Sequence, residues 1–450
     1  VGGSKTDYSN GNYLELSPKE IDVLKNLKQL KASGKIQKII VLLNSVNPVQ
    51  AEYIDDPEYD IDAVLWVGEG GTSTTLGIGK ILSGEVNPSG KLTDTYYKKH
   101  CYNPIYANFG SYENLGPVVS SANGGKSNRY VVYQEGIYSG YRYTETRYED
   151  IVLNTPNAGS FSYDDVVSYP FGFGLSYSTF DYSDMNVSYN ELDDSYQVSI
   201  KVTNTGSVKG KESVQIYAQQ PYTQYDIDNH IEKSAVDFVG YGKTKMLNPG
   251  DSETLSITVD GRWLTSYDSY RAKTYIQDQG TYYLTAGKNA HDACDNILAA
   301  KNNKGISVST DKMSSSGNAS LVYSFEKQFD DVKYSHSKVT GKEITNQFDN
   351  ADLNLYQNRG ENSVTYISRH DWDNTVKFGF TESQTKLNNQ VVVRTNENMV
   401  HDALKGSETI EKDNIPYPTF GADNGMTLAS LLSRDVEGNL MHVDYDDEKW

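Results

Sequence analysis

The hydrophobic residues of this 450-residue chain follow two different periods, and the change falls near residue 180. Before that point, short apolar runs alternate with helical stripes, whereas after it apolar and polar residues alternate one by one. The first pattern is typical of a parallel sheet covered by helices, and the second is typical of a β-sandwich. The predicted fold class is therefore an α/β domain with a mainly parallel sheet, followed by an all-β sandwich.

The α/β part begins with a helix start signal. Ser17 precedes Pro18 and Glu20, which is the order of a capping box with proline in the first turn. Apolar, β-branched runs at 36–43 and 63–67 then predict two buried parallel strands.

The loops after these two runs form the first candidate ligand site. The carboxyl ends of parallel strands meet at one edge of a sheet, and ligands bind at that edge. The first loop contains Asn44 and Asn47, and the second contains Gly68 and Glu69. These four residues are the candidate substrate-proximal residues. A role for Glu69 in its turn, or at the N-terminus of the helix predicted over 72–82, is the alternative interpretation.

The patterns divide the chain into three parts. Residues 1–180 are predicted to form the α/β domain, 181–295 the sandwich, and 296–450 an extended insertion and connector. Within the first part, residues 98–180 are rich in Tyr, Gly and Ser and are predicted to be mostly irregular, lying over a partner surface. The polar stretch 291–340 is predicted to be a linker or a surface insertion. Strands of the sandwich are predicted at 197–202, 212–217, 255–259 and 281–285.

Several motifs resemble those of family 3 glycoside hydrolases, and they follow the order found in that family. Three are similar to segments of its α/β sandwich domain, and two more are similar to its fibronectin type III-like domain. The five stretches are 81–92 (ILSGEVNPSGKL), 133–143 (YQEGIYSGYRY), 169–180 (YPFGFGLSYSTF), 202–217 and 247–250. Each also has a structural interpretation, because Asn87 to Gly90 is turn sequence and the glycines of 171–174 allow backbones to approach.

The resemblance implies a retaining, exo-acting β-glycosidase. The first expectation is a β-glucosidase that releases terminal β-D-glucose from cello-oligosaccharides or β-glucosides. In that family an Asp on a (β/α)8-type barrel is the nucleophile, and a Glu in a loop of the sandwich domain is often the acid/base. A β-xylosidase or a β-N-acetylglucosaminidase is an alternative within the family. A non-catalytic carbohydrate-binding or cell-surface module is an alternative outside it.

No catalytic residue is assigned within the chain itself. The sequence has no eight-fold strand and helix alternation, and it leaves no room for the ~250 residues of a barrel. The resemblance implies an acid/base Glu just upstream of Val1 and a nucleophile on a barrel after Trp450. Asp7 is better interpreted as a solvated turn residue, and Glu15 lies inside the following segment, where it matches poorly.

The C-terminal third contains a segment that resembles the connector of a subgroup in which the barrel comes last. Arg369, His370 and Asp371 lie in this segment, 366–372, and could be taken for a catalytic cluster. Adjacent residues on an extended strand point to opposite faces, so the segment is interpreted as a docking motif. His291, which precedes an aspartate, is expected to lie on the surface.

Charge and composition limit the partners. The formal net charge is −19, which argues against a nucleic acid. The chain has 36 Tyr against 12 Phe, which suits sheet surfaces and also sugar stacking. Its two cysteines lack metal-type spacing, and no cofactor or metal is expected. The expected partners are a carbohydrate substrate and a barrel domain in the same or a companion chain, and a homo-oligomer is compatible with the sequence. A secreted or cell-surface bacterial location is favoured over the cytoplasm.

Overall fold

A computed structural model describes residues 14–71, 74–105, 112–113, 129–130, 133–302, 316–346 and 365–376. The chain divides into one unit over Val1–Val400 and a second over His401–Trp450, and all described residues belong to the first. No helix in the described part is both long and apolar enough to cross a membrane.

The amino-terminal part is a small parallel sheet with helices, as the sequence predicts. Its elements are α1 (Pro18–Ala32), β1 (Ile40–Leu43), β2 (Ala63–Trp66) and α2 (Thr74–Leu82). The predicted capping box is present, because Ser17 N donates to Glu20 Oε2 at 2.8 Å and Glu20 N donates to Ser17 Oγ at 3.4 Å. The two strands pair in parallel, with Ile40 opposite Ala63 and Leu43 opposite Trp66. The predicted strand–helix order is confirmed.

One face of this sheet packs on a core, and the other face is open. Val41 and Leu43 pack with Leu24 of α1 and with buried tyrosines. Ile40 and Leu42, which alternate with them, are exposed. The alternation follows from the period of two along a strand.

A buried polar helix occupies the centre of the region predicted to be irregular. The elements of this region are β3 (Tyr96–Tyr97), β4 (Tyr112–Glu113), β5 (Arg129–Tyr130), α3 (Tyr141–Leu153), α4 (Tyr163–Val166) and β6 (Val167–Tyr169). In α3, residues 143–150 are all buried. The prediction of irregular structure is wrong there, because the helix carries polar side chains on every side and shows no apolar stripe.

The second part is a β-sandwich of two sheets. Its elements are β7 (Phe180–Asn190), β8 (Ser195–Asn204), β9 (Ser213–Gln219), α5 (Gln224–Asp228), β10 (Asp237–Lys243), β11 (Ser252–Asp260), β12 (Ser266–Asp268), β13 (Thr274–Ile276), β14 (Gly280–Gly287), α6 (Ala290–Ala300) and β15 (Val322–Lys327). One sheet has the order β11-β8-β7 and the other β10-β9-β14-β15. In β8, Val198, Ile200 and Val202 point into the core, as the period of two predicts. The four predicted strands are confirmed as β8, β9, β11 and β14.

Parts of the chain after residue 295 contribute to the fold. The sequence pattern predicts that 296–450 lies outside the sandwich, yet β15 is an edge strand of the four-stranded sheet, with Val322 opposite Thr285. Tyr323 and Phe325 pack on the sandwich core. A short strand that pairs with a partner more than thirty residues earlier leaves no local signal, because the pairing decides its structure.

The family motifs meet where the α/β part joins the sandwich. Asn87 Oδ1 accepts from Ser176 Oγ at 2.9 Å, and Asn87 Nδ2 donates to the carbonyl of Lys209 at 3.2 Å. A Cβ at Gly174 would lie 2.4 Å from the carbonyl oxygen of Gly90, so only glycine allows this approach. The structural interpretation of both motifs is confirmed: they contact each other, and the bond from Asn87 to Lys209 links them to the sandwich.

Candidate functional site

The two loops predicted to share one edge of the sheet do lie side by side. Trp66 Nε1 donates to the carbonyl of Ser45 at 2.8 Å, and Val67 N donates to the carbonyl of Leu43 at 3.0 Å. The bonds join the first loop to the start of the second, because β1 and β2 are parallel and end together.

The four candidate residues differ in exposure along this edge. Asn44 and Glu69 are exposed, Asn47 is half-buried and Gly68 is buried. Gly68 has φ = +58° and lies against the ring of Trp66, so it shapes the turn. An amide and a carboxylate at the open edge of a sheet can bond sugar hydroxyls. The geometry brings the loops together, and contact with substrate stays a prediction.

A larger polar assembly surrounds α3 and was not predicted. At its centre, the carboxylate of Asp150 accepts hydrogen bonds from two nitrogens of Arg369, from Nε at 3.0 Å and from Nη2 at 2.7 Å. Glu149 accepts hydrogen bonds from Arg369 Nη2 at 2.6 Å and from Lys301 Nζ at 2.9 Å. Burial alone would raise the pKa of Glu149, but these two cations outweigh it and lower the pKa to about 2. At Asp150 burial prevails and raises the pKa.

The segment 365–376, which ends in the short helix α7 (Trp372–Thr375), docks on α3. The indole Nε1 of Trp372 donates to Asp150 Oδ2 at 2.7 Å. Its ring lies 4.8 Å from that of Tyr138, edge to face, and 4.9 Å from the guanidinium of Arg147. The segment does dock on α3, but Arg369–Asp371 form a short 3-10 helix and not the extended strand on which the prediction relied.

His291 is buried, so its expected surface position is wrong. His291 Nδ1 lies 2.8 Å from Glu145 Oε2, and its Nε2 lies 3.8 Å from Asp295 Oδ2. Its ring stacks on that of Tyr163, with the ring centroids 4.0 Å apart. The hydroxyl of Tyr163 donates to Glu145, and the hydroxyl of Tyr148 donates to Asp295. Two carboxylates stabilise a buried imidazole, which the sequence could not show because one lies 146 residues away.

A third buried ion cluster stabilises the sandwich. Lys233 Nζ lies 2.9 Å from Asp226 Oδ1 and forms a very short bond to Asp278 Oδ2. The ammonium also donates to the carbonyl of Pro221 at 3.0 Å. All three charged side chains are buried, and the ammonium of Lys233 compensates both carboxylates for their lost hydration.

These clusters suit stability better than catalysis. Glycoside hydrolysis needs two carboxyl groups that a substrate can reach. The adjacent carboxylates Glu149 and Asp150 are instead buried and bonded to Arg369. Among the described residues, no group of three or more His, Cys, Asp or Glu side chains could hold a metal ion.

Comparison with known proteins identifies both domains. Residues 2–141 match the Glycosyl hydrolase family 3 C-terminal domain, and residues 212–290 match the Fibronectin type III-like domain. The chain thus contains a family 3 C-terminal domain and a fibronectin type III-like domain, in the predicted order. The family resemblance and the fold class are confirmed.

Among its relatives are two bacterial enzymes. Thermostable β-glucosidase B of Acetivibrio thermocellus is 31% identical over 267 residues, which cover 58% of this chain and 30% of that protein. A β-glucosidase of Ruminococcus albus is 32% identical over 268 residues, which cover 58% of this chain and 24% of that protein. β-Glucosidase 3B from Thermotoga neapolitana in complex with glucose aligns with a TM-score of 0.49 at 27% identity, over 70% of this chain and 34% of that one. The chain spans less than a third of the length of the two relatives.

Proposed function

We propose that this chain is the part of a family 3 β-glucosidase that lies outside the catalytic barrel. The complete enzyme would be retaining and exo-acting, releasing terminal β-D-glucose from cello-oligosaccharides or β-glucosides. The observation that carries this proposal is the pair of family domains in one chain, together with relatives at 31% and 32% identity that are β-glucosidases.

The proposed reaction uses two carboxyl groups about 5–5.5 Å apart. An Asp on a barrel after Trp450, in the same or a companion chain, attacks the anomeric carbon. A Glu just upstream of Val1 protonates the leaving oxygen and then activates water. The buried carboxylates around α3 are bonded to cations, which supports placing both catalytic groups elsewhere.

Within this scheme the edge of the parallel sheet forms part of the wall beside the substrate. Asn44 and Glu69 are exposed there and offer an amide and a carboxylate to sugar hydroxyls. The carbonyl of Asn47 accepts a hydrogen bond from Ser45 Oγ at 2.8 Å within the first loop, and Gly68 provides the positive φ of the second. The acidic surface and the polymer-derived substrate support a secreted or cell-surface bacterial location, which cell fractionation would check.

A chromogenic assay tests the proposal. The 450-residue chain and the full-length gene product would each be given p-nitrophenyl β-D-glucoside, β-D-xyloside and N-acetyl-β-D-glucosaminide. We expect turnover only by the full-length product, and fastest with the glucoside. Clear turnover by the 450-residue chain would contradict the placement of the carboxyl groups.

The same assay separates the alternatives. Preference for the xyloside or the glucosaminide would identify another specificity of the family. A full-length product that turns over none of the three substrates but binds β-glucan would favour the non-catalytic carbohydrate-binding module.

A further inference from the structure

We propose that the groove on α3 that holds residues 365–376 is a peptide-recognition site, and that it accepts this segment from a separate molecule carrying the same sequence. The groove selects an arginine followed three positions later by a tryptophan. The inference goes beyond the proposed function, because it concerns the binding of a peptide segment to this groove. It does not depend on which sugar the enzyme prefers.

The arginine pocket selects both charge and shape. Glu149 and Asp150 contribute two carboxylates, and within the described residues Lys301 and Arg369 are the cations bonded to Glu149. Without Arg369 the pocket would keep two buried carboxylates against one ammonium. Asp150 bonds two nitrogens of the guanidinium, a planar arrangement that a lysine ammonium cannot reproduce.

The tryptophan pocket lies directly beside it. Trp372 is 1% exposed and contacts the ring edges of Tyr138 and Tyr143, with centroids 4.8 and 5.9 Å away. Arg147 covers its ring, and Asp150 accepts its indole proton. Asp150 therefore bonds both anchors, which fixes the spacing between them.

Hydrogen bonds to the backbone hold the start of the segment, residues 365–369, where it enters the helical turn Arg369–Asp371. Ile367 N donates to the carbonyl of Gln134 at 3.0 Å, and Gln134 Nε2 makes a short bond to the carbonyl of Thr365. Arg369 N donates to Glu232 Oε2 at 2.9 Å, and that carboxylate also accepts Tyr138 OH at 2.6 Å.

The packing explains why the segment can act as a separate ligand. Its apolar side chains Ile367 and Trp372 belong to a small cluster with Tyr138 and Tyr143. The sandwich core and the core beneath α6 contain no residue of this segment. Eighteen residues, 347–364, separate it from the preceding described stretch. The covalent link keeps the segment near the groove, so the segment of the same chain normally occupies it.

Vacating the groove within the full chain tests the proposal. The probe is a fluorescein-labelled peptide with the sequence of residues 365–376, TYISRHDWDNTV. Fluorescence anisotropy would measure its binding to the wild-type chain and to the double variant Arg369→Ala/Trp372→Ala. We expect the peptide to bind the double variant. It should bind the wild type at least about tenfold more weakly, because the groove of the wild type is already occupied.

Two altered peptides test selectivity. A peptide with Arg369→Lys should bind about tenfold more weakly, because it loses the paired bonds to Asp150. A peptide with His370→Ala is the matched control and should bind like the unaltered one, because His370 is exposed between the two anchors.

Other results would overturn the proposal. The first is that the double variant folds but binds no peptide. The second is that it binds the Arg369→Lys peptide as tightly as the unaltered peptide. A double variant that fails to fold would overturn it too, because the segment would then be part of the core. Hydrogen exchange of the wild-type chain provides a second test, in which the amides of Ile367 and Arg369 should exchange before those of β8. Exchange only through global unfolding would contradict separability.

Discussion

Arg369 Nη2 lies 2.7 Å from Asp150 Oδ1, and Arg369 Nε lies 3.0 Å from the same oxygen, across 219 residues of chain. Both side chains are buried. This ion pair explains how a helix as polar as α3 can lie inside the protein. A buried carboxylate is stable only when a cation or hydrogen-bond donor replaces its lost water.

The first prediction concerns this ion pair. Arg369→Ala should lower the free energy of unfolding by about 3–5 kcal/mol, because it leaves Asp150 and Glu149 buried with fewer partners. Urea unfolding followed by circular dichroism would measure the change. His370→Ala, next to it and exposed, is the control and should change stability by less than about 0.5 kcal/mol.

A double-mutant cycle isolates the pair itself. Asp150→Asn alone and Arg369→Ala alone should each destabilise, and the double variant should lose much less than the sum of the two. Additive losses would mean that the two side chains act independently, contrary to their geometry.

The second prediction concerns pH and the cluster around His291. Burial raises the pKa of Asp295 to about 6, and the charge of Glu145 outweighs burial and raises the pKa of His291. Both groups thus bind protons more tightly in the folded than in the unfolded chain. Their contribution to stability is full at low pH and decreases as pH rises through the folded pKa values, which for Asp295 means from about 4 to 6.

Asp295→Asn tests the sign, because asparagine keeps the shape without the charge. The unfolding free energy of the variant minus that of the wild type should increase by about 1–3 kcal/mol from pH 4.5 to pH 7.5. The size follows from ~1.4 kcal/mol for each unit by which the pKa is raised. Urea titrations at the two pH values measure it, with the exposed Glu191→Gln as control. A relative loss over the same range would show that the charged form of Asp295 is favoured.

The third prediction concerns the contact between two family motifs of the α/β part. Gly174→Ala would place a Cβ 2.4 Å from the carbonyl oxygen of Gly90, so one of the two segments must shift. We expect a loss of about 1–3 kcal/mol in thermal or urea unfolding. Gly79→Ala is the matched control: it lies in α2 with no atom within 4 Å of the new Cβ, and it should stabilise by up to about 1 kcal/mol. Equal effects of the two changes would contradict the close approach.

The fourth prediction concerns the edge of the parallel sheet and depends on the proposed function. In the full-length enzyme, Asn44→Ala and Glu69→Gln should raise KM for the chromogenic glucoside by up to about tenfold with little change in kcat. The reason is that each removes a substrate hydrogen bond without touching the reacting atoms. Glu58→Gln, exposed in a turn and paired with Lys25, is the control. A large fall in kcat for Glu69→Gln alone would indicate a catalytic role.

The sequence predicted the elements whose signals are local. The capping box at Ser17 and Glu20 and the one-by-one alternation of β8 both follow from residues near each other in the chain. Parallel strands end at the same edge, so the sequence also brought the loops of Asn44 and Glu69 together.

The burial of polar groups was decided by tertiary structure alone. Helix α3 has no apolar stripe, and His291 looks like a surface residue, yet both are buried because their partners arrive from distant parts of the chain. The edge strand β15 likewise depends on pairing with β14. The hydrophobic period of a sequence predicts which side of a helix or strand is buried. A charged side chain, by contrast, can be buried wherever an opposite charge lies next to it. Only the folded chain brings two such charges together.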